Sequence, residues 1–432
     1  MLNGIQRQFA IVIERFSRWS RQPRRRLLQL MWLGLSLLIM QQAQAETRVL
    51  RFATWDSNQA LAIQRQIAAR FEARYPDVKV QIEAYGTGFP LKIAAAFGAG
   101  NAPDVMYMWD FPSYAKSLEP LDAWIQQDSQ FNAADILPAL RLYSRYQGQT
   151  LGIPAGFTSR VMYYNKDMFD AAGLAYPPDD WTWQECAAIS SRLRQVEKRQ
   201  YGYAMSLALD LYDFQSFFWS AGTSMVSADG KQIANYFNSD AAKAMFAMFL
   251  TMQQKQQMLV LGVAESQSLR DLFISDKVAM LDAGVSLKAD LEKQGKRFGI
   301  TSLPRFANSP VKTAVSISAL AMAKSSQQKQ LAWEFIRFYT SPEAVLLRAN
   351  IDLPVLKSLA NSPRFAEDKL IQAFYRAMQA NDQVPAFLLN PRWARAQDRL
   401  ELAIQQIFTY RSDVATWLDK AALQAQYHLR TR

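Results

Sequence analysis

Residues 99–110 read AGNAPDVMYMWD. Pro103-Asp104 leads out of a glycine-bounded helix end into the apolar run Val105–Met108, and Trp109-Asp110 follows at once. An apolar run of four with turn residues before it reads as a buried strand. Upstream, VLRFAT (49–54) reads as a first strand. Between 58 and 74, Ile63, Ile67 and Phe71 recur at helical spacing, one stripe of an amphipathic helix. VKVQIEAY (78–85) alternates apolar and polar residues, as a half-buried strand does, and LKIAAAF (91–97) reads as a short helix stopped by Gly98 and Gly100. This β-α-β-α-β succession predicts a parallel sheet covered by helices. Ligands of such sheets sit beyond the carboxyl ends of the strands, so Trp55-Asp56 and Trp109-Asp110 are placed for ligand contact.

The chain has 432 residues, half of them apolar and one in five charged, which fits a globular protein of two domains. Its first 45 residues hold seven arginines, then the apolar run Leu27–Met40 and the small-residue site Ala43-Gln44-Ala45. That order is the one of a secretory signal peptide, with a mature chain from Glu46. Fourteen apolar residues fall short of the roughly 20 that span a bilayer, which favours cleavage over anchoring. Arg24-Arg25-Arg26-Leu27-Leu28 also admits a twin-arginine signal. Of the formal net charge of +11, this segment supplies +6, leaving +5 spread without basic runs, so nucleic-acid binding has no support.

Cys186 is the only cysteine and His428, near the C-terminus, the only histidine. An internal disulfide is excluded, and Ser-His-Asp catalysis or a His/Cys zinc site is argued against. A periplasmic location is expected, with no cofactor and no metal.

Further along, Thr182 and Glu185 form a capping-box pattern, Ala228-Asp229-Gly230-Lys231 a hairpin-type turn and Asn238-Ser239-Asp240 a helix cap. Phe298–Leu303 and Val315–Ala323 read as strands, Leu331–Tyr339 as a helix, and Ser341-Pro342-Glu343 as the start of another. The remainder is mostly helical.

The order of segments resembles the family 1 extracellular solute-binding proteins of ABC importers, the group that includes maltose-binding protein. The resemblance is carried by FEARYPDVKV (71–80), AGNAPDVMYMWD (99–110), LEPLD (118–122), IPAGFTSRVMYYNKDMFDAAGL (153–174), WTWQECA (181–187), SAGTSMV (220–226), FISDKVAML (273–281) and AWEFIRFYTSPEA (332–344). The chain departs from the family's pattern at Ser316-Ile317-Ser318, at Asp276-Lys277, and at Ser286, where relatives often carry a sugar-stacking tryptophan.

The resemblance implies an α/β, two-lobed periplasmic binding protein fold of type II, each lobe a central β-sheet flanked by helices, with the ligand cleft between lobes. The lobes expected are 46–155 plus 307–340 and 156–306 plus 341–432, joined by crossings near Gly152–Phe157, Leu303–Asn308 and Tyr339–Glu343. The implied function is capture of a carbohydrate and its delivery to ABC permease subunits in the inner membrane, by a monomer and without catalysis.

A sugar needs flat apolar faces and fanned polar groups, and an aromatic beside a carboxylate supplies both. Trp55-Asp56 and Trp109-Asp110 match ligand-contacting positions of relatives; alternatively the tryptophans pack under a helix and the aspartates cap it. Asp210 and Tyr212 match an acidic and aromatic pair used by some relatives, and a structural role stays open for both. Thr158 and Gly284–Ser286 lie in segments that border the cleft in relatives. Trp393 matches a late aromatic that stacks on sugar, or is a core residue of its helix.

Two other classes remain open. An exported carbohydrate-degrading enzyme would use a carboxylate pair, for which Asp179-Asp180 is the candidate, though adjacent acids before a helix also serve its dipole. A periplasmic ferric-ion binder would use paired phenolates, and Tyr163-Tyr164 in SRVMYYNKDMF (159–169) invites that reading. Consecutive strand residues face opposite sides, which argues against a shared metal. The stretches YGTGFPLK and FGAGNAPD complete no phosphate-loop pattern and read as helix boundaries.

Overall fold

The computed structural model describes residues 47–207, 211–262, 268–307, 309–411 and 413–430, so the export segment 1–45 and Asp210 lie outside the described residues. The chain divides into two compact units. Among described residues the smaller holds 47–49 with Glu72–Val80. Within it the Arg48 N–H donates to the Asp77 carbonyl and the Arg48 guanidinium pairs with the Asp77 carboxylate, both at 2.8 Å. The larger, Leu50–Phe71 with Gln81–Arg432, carries the sheets described next.

Among the described residues twelve strands form: β1 (Arg48–Thr54), β2 (Val78–Ala84), β3 (Val105–Met108), β4 (Arg145–Tyr146), β5 (Gln149–Thr150), β6 (Ile153–Ser159), β7 (Val161–Asn165), β8 (Tyr201–Ser206), β9 (Met258–Leu261), β10 (Val278–Ala283), β11 (Phe298–Thr301) and β12 (Val315–Met322). The first sheet has the order β2-β1-β3-β12-β6. The second has the order β11-β7-β10-β8-β9, and β4 and β5 make a separate hairpin. β1 and β3 are parallel, with Phe52 opposite Val105. β12 runs antiparallel to both β3 and β6, so the first sheet is mixed and not the parallel sheet expected. The cause is topological: β12 enters late, after the chain has built the second sheet. Local alternation carries no information about that direction.

β6 stays in the first sheet to Ser159, paired with Val315, and β7 begins at Val161 in the second. Arg160 alone separates them, later than the expected crossing at 152–157. Residues 302–314 return the chain from β11 to β12. The helix Lys369–Ala380 packs on β6 of the first sheet and on β7 and β11 of the second.

Local signals explain most helix starts. Thr182 Oγ1 accepts from the Glu185 N–H at 3.2 Å, and the Glu185 carboxylate accepts from the Thr182 N–H at 2.7 Å, completing the capping box. Ser239 caps the helix Asp240–Gln254 by accepting from the Ala242 N–H. The turn at 228–231 forms too, Gly230 at φ +69°, but no strands flank it; the Ser227 backbone closes it by pairing with Gln232. The C-terminal helices Trp393–Tyr410 and Val414–Arg430 pack as a hairpin into the core of the second sheet.

The two tyrosines of β7 face opposite ways. The Tyr163 hydroxyl donates to the Gly284 carbonyl at 2.9 Å and its ring stacks on Phe298. Tyr164 packs against Phe169 and Tyr176. They share no site, and among the described residues no group of three His, Cys, Asp or Glu side chains could hold a metal. Of the acidic pair, Asp179 accepts from the Thr301 hydroxyl and Asp180 pairs with Arg305 at 2.7 Å, so both serve the second sheet's surroundings.

The helix Trp183–Leu193 lies so close on β8 that Gly202 faces the Ser190 backbone, whose carbonyl oxygen would stand 2.6 Å from an added Cβ. Backbone cannot move aside as a flexible side chain can. Gly202→Ala is expected to cost about 1–3 kcal/mol through overpacking, read as a lower urea midpoint at unchanged slope.

Candidate functional site

β1 and β3 are parallel neighbours, so their carboxyl ends open side by side and the residues after them meet. Trp55 and Trp109 stand edge to face with centroids 5.6 Å apart. Trp55 also lies over Tyr107 at 4.4 Å, and Phe89 touches both tryptophans at 5.4 and 5.8 Å. Facing this wall are Tyr212, packed on Phe387 at 5.5 Å, and Trp393 at the first turn of the helix Trp393–Tyr410. Ser316 and Ile317 of β12 lie between. Together they enclose a cavity of about 590 Å³, within the range of small-ligand pockets.

Polar groups punctuate the aromatic lining. Asp110 N-caps the short helix Phe111–Tyr114, its Oδ1 accepting from the Ser113 N–H at 3.2 Å. Burial pushes the Asp110 carboxyl up from its ordinary pKa, and burial and then the Asp110 charge push the Tyr114 phenol up. The Tyr212 hydroxyl donates to the Val315 carbonyl at 2.5 Å. Asn390 is held by donating to the Gly230 carbonyl at 2.8 Å, and Gln397 by donating to Glu401 at 2.8 Å. At the rim the Ser113 hydroxyl donates to the Pro391 carbonyl at 3.2 Å, closing the two walls on one another.

Of the residues singled out from sequence, Trp55, Trp109, Asp110, Tyr212 and Trp393 line this cavity. Asp110 caps a helix while lining the cavity, and Trp393, 3 % exposed, lines it while belonging to the second core. Asp56, Thr158, Gly284 and Ser286 do not line it. Asp56 is buried and its carboxylate is taken by Arg348 at 3.0 Å and Gln64 at 2.5 Å. The Thr158 hydroxyl accepts from the Val285 N–H at 2.9 Å, and Gly284 lies against it, so these residues join β6 to the end of β10. Ser286 opens the helix Ser286–Lys293 beside that joint.

Sequence reasoning missed Phe89, Tyr143, Ser316, Phe387, Asn390 and Gln397. For Phe89 a signal existed: YGTGF was read as a helix boundary, yet Gly86, Thr87 and Phe89 all line the cavity. Ser316 marked a departure from the family's glycines, and that position turns out to be in the wall.

Two sheets flanked by helices, with an aromatic cleft at the strand ends of the first, define the architecture of a solute-binding protein. The model of the bacterial extracellular solute-binding protein family matches residues 55–346, and the chain belongs to that family. A binding protein of Brucella abortus (strain 2308) is 22% identical over 84% of this chain and 89% of its own length. The sn-glycerol-3-phosphate-binding periplasmic protein of Escherichia coli O1:K1 / APEC is 24% identical over 72% of this chain and 74% of its own. Among solved structures, the ABC substrate-binding protein of Listeria monocytogenes in complex with cycloalternan superposes with a TM-score of 0.79 at 20% identity, covering 89% of this chain and 100% of that one. The maltose-bound MalE3 of T. maritima gives 0.77 at 17% identity, covering 88% and 99%. These likenesses establish the two-lobed fold. Members of this family bind solutes rather than transform them.

Arg348, 1 % exposed, is the cation between Asp56 and Asp352. Arg348→Met would leave the buried Asp56 and the half-buried Asp352 without a counter-charge, and is expected to cost about 3–5 kcal/mol in chemical denaturation.

Proposed function

We propose that this protein captures a carbohydrate in the aromatic cleft and hands it to an ABC permease, as a periplasmic monomer exported by its first 45 residues. The observation that carries the reading is the opposition of Trp55 and Trp109 to Trp393 and Tyr212 across one cavity, with Thr87, Ser316, Asn390 and Gln397 between them. Indole faces match the C–H surfaces of a pyranose, and hydroxyl and amide groups match its rim of hydroxyls. The carbohydrate complexes named above support the same class of ligand.

The lobes are built on the two sheets, and the hinge runs through Arg160, the 302–314 return and the stretch after Tyr339. The ligand touches walls from both lobes and stabilises the closed arrangement by contacts it makes only there. That the helix Lys369–Ala380 rests on both sheets supports a hinge near its surface. Asp210, outside the described residues, is proposed from sequence as a further ligand contact.

Isothermal titration with neutral oligosaccharides tests this. A saccharide is expected to bind wild type, and Trp109→Ala is expected to raise its Kd at least about tenfold, about 1.4 kcal/mol, with an unchanged circular dichroism spectrum. Thermal stabilisation by amino acids or metal ions alone, with no response to any saccharide, would overturn the reading.

A further inference from the structure

Charge is distributed unevenly around the cleft. Asp110 lines it, and among the described residues its lining holds no lysine, arginine or histidine. Several cations of the flanking segments are held by other partners, and Lys92, Lys116 and Arg395, on those segments too, are exposed and are not among the lining residues. Arg348 is held by Asp56 and Asp352, Arg160 by Asp282 and Asp213, and Lys312, ahead of β12, pairs with Asp382 at 2.6 Å. Arg392, next to Trp393, donates to the Arg430 carbonyl. Asp110 itself accepts from the Ser113 backbone N–H, and among the described residues it is in no ion pair.

We propose that the cleft selects by charge, accepting a neutral carbohydrate and rejecting its phosphorylated or uronic-acid counterparts, with Asp110 as the specificity-determining residue. The inference rests on the carbohydrate reading above and narrows it. A carboxylate accepts hydrogen bonds only, so it suits the hydroxyl donors of a neutral sugar. An anionic ligand would bring a second negative charge beside it, against indole faces that are themselves negative, with no cation to offset either. The partial burial that raises the Asp110 pKa also weakens the screening of this repulsion by water. The chain is thereby distinguished from the 24%-identical relative named for sn-glycerol 3-phosphate, an anion.

The test is titration calorimetry on the purified protein with maltose, cellobiose and trehalose, the 6-phosphates of the same disaccharides, and sn-glycerol 3-phosphate. Each phosphate is expected to bind at least about tenfold more weakly than its neutral parent, a difference of about 1.4 kcal/mol. In Asp110→Asn, which keeps the helix cap, that gap is expected to shrink. A phosphate that binds wild type as tightly as its parent overturns charge selection and leaves the carbohydrate reading standing. A gap unchanged in Asp110→Asn overturns the role given to Asp110. Binding of none of the saccharides, neutral or phosphorylated, overturns both readings together.

Discussion

The arrangement of the site depends on one buried cation. Arg348 bonds Asp56 at 3.0 Å and Asp352, and its guanidinium lies over the rings of Tyr107 and Tyr339 at 5.3 and 5.9 Å. Gln64 completes the cluster, donating to Asp56 and to the Tyr107 hydroxyl and accepting from the Tyr339 hydroxyl at 2.9 Å. The Ser318 hydroxyl donates to Asp352 from β12, and Gly156 of β6 leaves the room that Asp352 occupies. A desolvated ion cluster tolerates little displacement, since each partner is expensive to leave unpaired. It thus sets the relative positions of the ends of β1 and β3, the helices on either side of them, and the late strand β12. Tyr107 is both a member of the cluster and the platform under Trp55. The wall of the cleft inherits its rigidity from charges that do not line the cavity.

A second arginine plays the corresponding part on the other side. Arg160, the single residue between β6 and β7, donates to Asp282 at 2.7 Å through Nε and to the Asp282 carbonyl at 2.7 Å through Nη2. Asp213 takes the remaining arm at 3.1 Å, and the Tyr203 hydroxyl donates to the other Asp282 oxygen. The crossing residue is therefore fastened to the second sheet, while Arg348 fastens the returning chain to the first. Closure under the proposed mechanism must then be absorbed by the few backbone positions between these anchors, not by the sheets. The Leu353 N–H to Phe157 carbonyl bond, 2.7 Å, marks where the third connection runs beside the first.

Much of the fold was legible because its signals are local. The alternation of β2, the Thr182–Glu185 box and the Ser239 cap act within a few residues, and the structure shows each where expected. Trp55 and Trp109 were legible as site residues because parallel pairing of two adjacent strands follows from the β-α-β order. Asp56 was not, since its partner Arg348 is 292 positions away. Gln64 hid in the same way: it sits beside the apolar stripe of its helix and is buried only because Asp56, Tyr107 and Tyr339 converge on it. Thr158 reads as a free hydroxyl at a cleft border until Val285, 127 positions on, takes it. Phe387, Asn390 and Gln397 come from late helices whose approach to the cleft no local pattern encodes.

Asp110 and Trp393 each combine a structural role with a place in the lining of the cavity. A helix cap uses one carboxylate oxygen, and an ionised carboxylate has about four acceptor sites, so capping leaves Asp110 with capacity directed at the cavity. The cap also fixes the side-chain rotamer, which a binding group on a flexible loop would have to lose freedom to adopt. Trp393 follows the same logic. Its indole is almost entirely covered by the second core, and only the part that borders the cavity remains for a ligand. Packing holds the Trp393 side chain in one conformation, and at 3 % exposure it leaves little of the indole at the cavity.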